Sequence, residues 1–133
     1  MATNCNIKRD PYYDVYCGRT KEGEVTQKIG VYGWLGNPIK IENIGSVKKC
    51  KVCNKRHYTG GETLGCYEEY LVTRLKTDSK FRVMFFQLKG KKLGCYCKPK
   101  PCHTDIMIQY INGEKYYKEE YRKLKMKIFK KGK

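Results

Sequence analysis

The sequence predicts a single small α/β domain over residues 1–112, with a few short strands and about three to four helices. A cysteine-rich knuckle is inserted at about residues 45–61, and a basic amphipathic helix follows over 113–133. Three observations predict this. Apolar residues recur at helical spacing after residue 62, short runs of strand type and turn clusters alternate with those stretches, and 133 residues hold one core. A chain of this size buries roughly two-thirds of its unfolded surface, which is enough for a core without disulfides and too little for two folded domains. Apolar residues at 40%, with twelve tyrosines among them, exclude a disordered polycation.

The elements follow in order. Residues 13–17 alternate and run into Gly18-Arg19, a strand entering a loop. Residues 20–30 are polar loop, and Gly33-Trp34-Leu35-Gly36-Asn37-Pro38 packs turn formers around the only tryptophan. Residues 39–42 form a short strand candidate. From 45 to 61 the chain is basic and without apolar period, as expected of an inserted knuckle. Leu64, Tyr67, Leu71 and Leu75 recur at helical steps and predict a helix over 62–76 with Thr63 as its cap. Phe81, Met84, Phe85 and Leu88 predict a second, shorter helix that Gly90 stops. Residues 92–97 read as a compact strand, and Pro99 and Pro101 make the next stretch irregular. Thr104 caps a helix over about 105–111, and Asn112-Gly113 bounds the domain. Beyond it, Tyr117, Tyr121, Leu124 and Ile128 lay one apolar stripe on a lysine-rich helix, which packs on the domain or brings two copies of the chain together.

The formal net charge is +16, from 29 Lys and Arg against 13 Asp and Glu. It is local. One acid-free cluster holds Lys48, Lys49, Lys51, Lys55 and Arg56; a second holds Lys89, Lys91, Lys92, Lys98 and Lys100; a third holds Arg122, Lys123, Lys125, Lys127, Lys130, Lys131 and Lys133. Together they carry the whole excess and leave a nearly neutral body. A single lysine run is ordinarily a solvated face, but adjacent lysines repel unless something neutralises them, so three such clusters point to a polyanion. Nucleic acid is the first candidate, with DNA favoured over RNA. Binding is expected to be largely sequence-independent, since no helix-turn-helix, RNP or paired-finger motif is present. In this reading all these residues except Lys89 and Lys133 are assigned to phosphates, and Tyr58 or Tyr96 stacks on bases. No apolar run approaches the ~20 residues of a membrane span, so insertion is not expected. The opening residues lack a secretory h-region, and the expected location is intracellular and reducing: cytoplasm, nucleus or a virion.

Eight cysteines in a reducing compartment mean metal, thiol chemistry or packing. Cys50 and Cys53 have the spacing that sets two thiolates at two corners of a tetrahedron, and His57 and Cys66 follow in the ligand order of a zinc knuckle. Cys66 also reads as a small buried thiol at the start of a helix. Cys95, Cys97, Cys102 and His103 form a second group. It can close another zinc site, form a thiol or anion site at a helix N-terminus, or contribute only packing. Cys50 and Cys53 can also pair with two of the later cysteines. One or two zinc ions are therefore expected.

Cys17-Gly18-Arg19, Trp34-Leu35-Gly36-Asn37-Pro38, Tyr67-Glu68-Glu69-Tyr70-Leu71, the run from Leu88 to Cys97 and Pro101-Cys102-His103-Thr104-Asp105 together resemble the "domain of unknown function 4326" family of bacterial, phage and large DNA virus proteins. The resemblance spans about residues 13–112 and leaves the knuckle and the basic tail as additions. It implies a small α/β core with a polar site of Arg19, Asn37, Cys102, His103 and Asp105, joined by Cys95 and Cys97. It makes a viral origin plausible and supplies no activity. Two principal readings follow: a zinc-stabilised nucleic-acid-binding protein, or an enzyme on a nucleotide or nucleic-acid substrate. In the enzyme, Arg19 holds a phosphate, Asn37 orients a polar group, Cys102 or His103 reacts, and Asp105 fixes the imidazole. A virion structural or protein-interaction module is the third reading.

Overall fold

The computed structural model describes residues 1–39, 50, 52–53, 57, 61–96 and 101–115. Within them the chain forms strands β1 (Thr3–Asn6), β2 (Val15–Tyr16) and β3 (Lys92–Cys95). The helices are α1 (Leu64–Thr77), α2 (Ser79–Phe86) and α3 (His103–Ile111), with a 3-10 turn at Gly61–Thr63 leading into α1. The strands make one parallel sheet in the order β1-β3-β2, with Thr3 opposite Lys92 and Val15 opposite Leu93. This is a small α/β domain with three helices among the described residues.

The central strand is buried from Leu93 to Cys95, as a parallel strand covered on both faces must be. Gly94 is required there: a Cβ would stand 2.5 Å from the Ile7 side chain and 2.7 Å from the Tyr13 ring. Helices α1 and α2 pack together through Leu71, Leu75, Phe81 and Phe85, all buried, and the Trp34 ring meets Phe81 edge-on at 5.8 Å. Asp78 separates the two helices and caps the second, its carboxylate accepting from the Phe81 N–H at 3.0 Å. Helix α3 lays Met107, Tyr110 and Ile111 into the core, and Tyr110 donates to Glu68 on α1 at 2.7 Å. The Asn112 amide then bonds both the N–H and the carbonyl of Ala2, tying the end of α3 to the start of β1.

Several sequence expectations are adjusted. Strand β1 is an addition to them, because Thr-Asn-Cys-Asn has no apolar alternation and becomes a strand by pairing with β3. Strand β2 covers two residues of the expected 13–17. The Thr63 side chain does not cap α1; its hydroxyl accepts from the Asn37 amide at 3.1 Å. Helix α3 starts at His103 with Cys102 as its N-cap, two residues before the expected start, and Thr104 is buried inside it. Ile39 lies outside any strand, and the remainder of the 39–42 expectation falls outside the described residues. So do most of the knuckle, Cys97, Tyr58 and the basic helix beyond Lys115. Among the described residues, no helix is long and apolar enough to cross a membrane.

Candidate functional site

Three parallel strands bring their carboxyl ends, at Asn6, Tyr16 and Cys95, to one edge of the sheet, the edge at which open α/β folds bind ligands. A cavity of about 410 Å³ opens there, and Arg19, Asn37, Cys95, Cys102 and His103 all line it together with Tyr16, Thr63 and Tyr96. The structure thus gathers four of the five polar site candidates around one volume. Asp105 sits one helical turn further on.

Each side chain has an identifiable task. The Arg19 guanidinium donates from Nε to the Asn37 carbonyl at 2.6 Å and from Nη2 to the Ile39 carbonyl at 2.8 Å, clamping the loop that carries Asn37. Asn37 closes a local turn, its Oδ1 accepting from the Ile39 N–H at 2.8 Å, and donates from Nδ2 to Thr63. His103 is buried with Nε2 between the carbonyls of Cys17 (2.6 Å) and Leu35 (3.1 Å). Carbonyls only accept, so Nε2 carries the hydrogen. Nδ1 then faces the Cys102 sulfur at 3.6 Å. Burial pushes the imidazole pKa down to about 4, with the nearby Arg19 charge adding to the effect, so His103 is neutral at physiological pH. Asp105 accepts from the Cys102 N–H at 3.0 Å and from the Asn4 amide at 2.7 Å. Main-chain carbonyls orient the imidazole, and the carboxylate serves the helix start.

Gly36 is the close-packing point behind this arrangement. A Cβ there would lie 2.9 Å from the Gly18 carbonyl oxygen and 3.2 Å from the Arg19 Cα, both backbone atoms. Gly36→Ala is expected to cost about 1–3 kcal/mol in urea unfolding, because main chain has to move. An unchanged midpoint and slope would show that the two loops have room to part.

The second feature is a sulfur-rich cluster. The ligand atoms of Cys50, Cys53, His57 and Cys66 all lie within 4.8 Å of one another. His57 Nε2 stands 3.4 Å from both the Cys53 and the Cys66 sulfurs. Zn–S bonds of about 2.3 Å and Zn–N bonds of about 2.0–2.1 Å at tetrahedral angles put neighbouring donors roughly 3.5–3.8 Å apart, so three sulfurs and one nitrogen at these separations can hold a metal ion. The electrostatics agree. Burial opposes ionisation of Cys50, but N–H groups of Cys53 and Val52 and the His57 ring bring its thiol down to about 7; the Val52 N–H lies at 3.3 Å. Burial and the crowding of Cys53 and Cys50 push Cys66 up to about 12, a cost that a bound dication relieves. Cys66 lies on the first turn of α1, three residues after Thr63 of the cavity wall, so a metal held by the cluster would join Cys50, Cys53 and His57 to the same helix start that Asn37 holds. Among the described residues these four are the donors that converge in this way. In the second cysteine group, Cys95 and Cys102 approach each other to 3.3 Å, His103 turns its Nε2 away to backbone, and Cys97 is outside the described residues.

Of the residues assigned to phosphates, Lys91 is exposed and Lys92 pairs with Asp10, while the others lie outside the described residues. Sequence reasoning named Tyr96 as a stacking residue and missed its neighbours. Tyr16 and Tyr32 stack with centroids 4.8 Å apart and planes 14° from parallel, and Tyr96 meets Tyr16 edge-on at 6.1 Å. Lys8 stands over the Tyr96 ring at 5.7 Å. Tyr32 is 55% exposed and Tyr96 52%; Tyr16 and Tyr96 line the cavity, and Tyr32 stands beside it on the Tyr16 ring. Nothing local in the sequence joins positions 16, 32 and 96; the pairing of β2 with β3 brings Tyr16 near Tyr96, and the turn at 31–36 lays Tyr32 on Tyr16.

A family model described as a domain of unknown function, DUF4326, matches residues 3–113. An uncharacterised 12.4 kDa protein from the nrdA-td intergenic region of enterobacteria phage T4 is 32% identical over 56 residues, which is 42% of this chain and 50% of that protein. The chain therefore spans about half the length of this relative. No solved structure matches.

Proposed function

The chain belongs to the DUF4326 family, and we propose that it is a zinc-stabilised nucleic-acid-binding protein that stacks unpaired bases on the tyrosines clustered around Tyr16, beside its cavity. The observation that carries the reading is the half-exposed pair Tyr32 and Tyr96 around a fixed Tyr16, with Lys8 over one ring, in a chain of net charge +16. Every base has a π-face, so such a platform accepts any sequence while lysines neutralise the backbone. The donor set of three sulfurs and one nitrogen favours zinc as the metal. The enzyme reading has less support. Arg19 binds two carbonyls, His103 is neutral and locked, and Asp105 caps a helix, so the described contacts of all three go to holding the fold.

Fluorescence anisotropy with a labelled single-stranded DNA of about a dozen nucleotides tests this. Tyr96→Ala and Tyr32→Ala should each weaken binding by about 1–3 kcal/mol, roughly fivefold to 150-fold. Engagement of about six phosphates should weaken it roughly 300-fold between 50 and 200 mM salt. Binding indifferent to salt, or untouched by both substitutions, would sink the proposal. Tighter binding to an RNA of the same sequence would reassign the partner within it.

A further inference from the structure

We propose that Cys95 and Cys102 form a redox-modification site, a dithiol that a small hydroperoxide converts into a disulfide within the chain. Their sulfurs are 3.3 Å apart, against about 2.05 Å in a disulfide, so closure needs a movement of roughly 1.3 Å. Each thiol is set by a different element, Cys95 by the end of the central strand and Cys102 by the N-cap of α3. Both side chains are about 1% exposed, yet both line the cavity at the sheet edge, whose volume of about 410 Å³ admits a molecule the size of hydrogen peroxide. Disulfides in reducing compartments are characteristically transient and redox-sensing, which is the behaviour this placement implies.

The chemistry closes with the peroxide as the sole oxidant. The Cys102 sulfur attacks one peroxide oxygen; the O–O bond breaks, and the departing hydroxide takes the thiol proton and leaves as water. Cys102 is then a sulfenic acid. The Cys95 sulfur attacks it, the S–O bond breaks as the S–S bond forms, and the released hydroxide takes the Cys95 proton as a second water. Two thiols and one peroxide become one disulfide and two waters, the sulfur pair losing the two electrons the peroxide gains.

The test uses the full-length, metal-loaded protein exposed to stoichiometric hydrogen peroxide, blocked with N-ethylmaleimide, digested without reduction and sequenced by tandem mass spectrometry. Zinc release is followed in the same sample with a chromogenic chelator. The expected result is a Cys95 to Cys102 disulfide with zinc retained, reversed by dithiothreitol. Cys95→Ser should abolish the disulfide and leave Cys102 trapped by dimedone as the sulfenic acid. The proposal is overturned by a disulfide from Cys102 to Cys97 or Cys17, by oxidation confined to Cys50, Cys53 and Cys66 with zinc loss, or by a second zinc per chain that protects Cys95 and Cys102. None of these outcomes depends on whether the protein binds nucleic acid.

Discussion

Native protein should carry one zinc per chain, and removing it should lower the unfolding free energy by at least about 3 kcal/mol. The effect is large because the donors join two separate pieces of chain, the knuckle with Cys50, Cys53 and His57, and the first turn of α1 with Cys66. Without the ion, three thiols and an imidazole remain crowded beside the core, with Cys66 held far from its ordinary pKa. Cys53→Ser should reproduce the loss, since one missing sulfur leaves three donors and exposes the site to exchange. Elemental analysis of both chains, with thermal melts before and after chelation, measures the effect. The disturbance should also reach the cavity through Thr63 and Leu64, which line its wall beside Cys66, so DNA binding should weaken in the metal-free protein. A metal-free chain that melts at the same temperature as the loaded one would remove the zinc from the structural account.

His103 should make the fold acid-sensitive in a defined window. Its folded pKa is depressed by burial to about 4, against about 6.5 in the unfolded chain. Between those values the unfolded state binds the proton and the folded state does not. The contribution is therefore fully present above pH 6.5 and is lost as pH falls towards 4, by about 3 kcal/mol in total. His103→Leu should remove this dependence. It should also cost about 2–4 kcal/mol at neutral pH, because the Cys17 and Leu35 carbonyls lose their buried donor. Urea unfolding of both chains from pH 7 to 4 measures the difference, and every other titrating side chain is common to the two, so the difference isolates His103. Parallel curves would mean that the imidazole is protonated in the folded state as well.

Much of the fold was legible because it is local. Leu64, Tyr67, Leu71 and Leu75 write α1 on one face at steps of three and four, and Phe81 and Phe85 do the same for α2, which ends at Phe86, before the expected stop at Gly90. The cluster able to hold a metal ion was legible for the same reason: its four side chains lie between residues 50 and 66, and their spacing states their order. The helix starts were read less well. Thr63 and Thr104 look like caps by residue type, yet Asn37 binds the Thr63 hydroxyl, and Cys102 with Asp105 takes the place given to Thr104.

By itself the sequence determined the helices, the grouping of sulfur ligands, the concentration of charge and the short list of polar residues that meet at one edge. Only the tertiary structure decided which groups those residues bond. Strand β1, four residues without apolar alternation, exists because β3 pairs with it from nearly ninety positions away, and that pairing sets the edge at which the cavity forms. Arg19, read from the sequence as a phosphate holder, and His103, read as a candidate reactive group, direct described donors to the carbonyls of Asn37, Ile39, Cys17 and Leu35. Every residue type carries the same carbonyl, so no pattern of side chains can announce such a partner; it becomes definite only when the chain folds and one carbonyl is within reach.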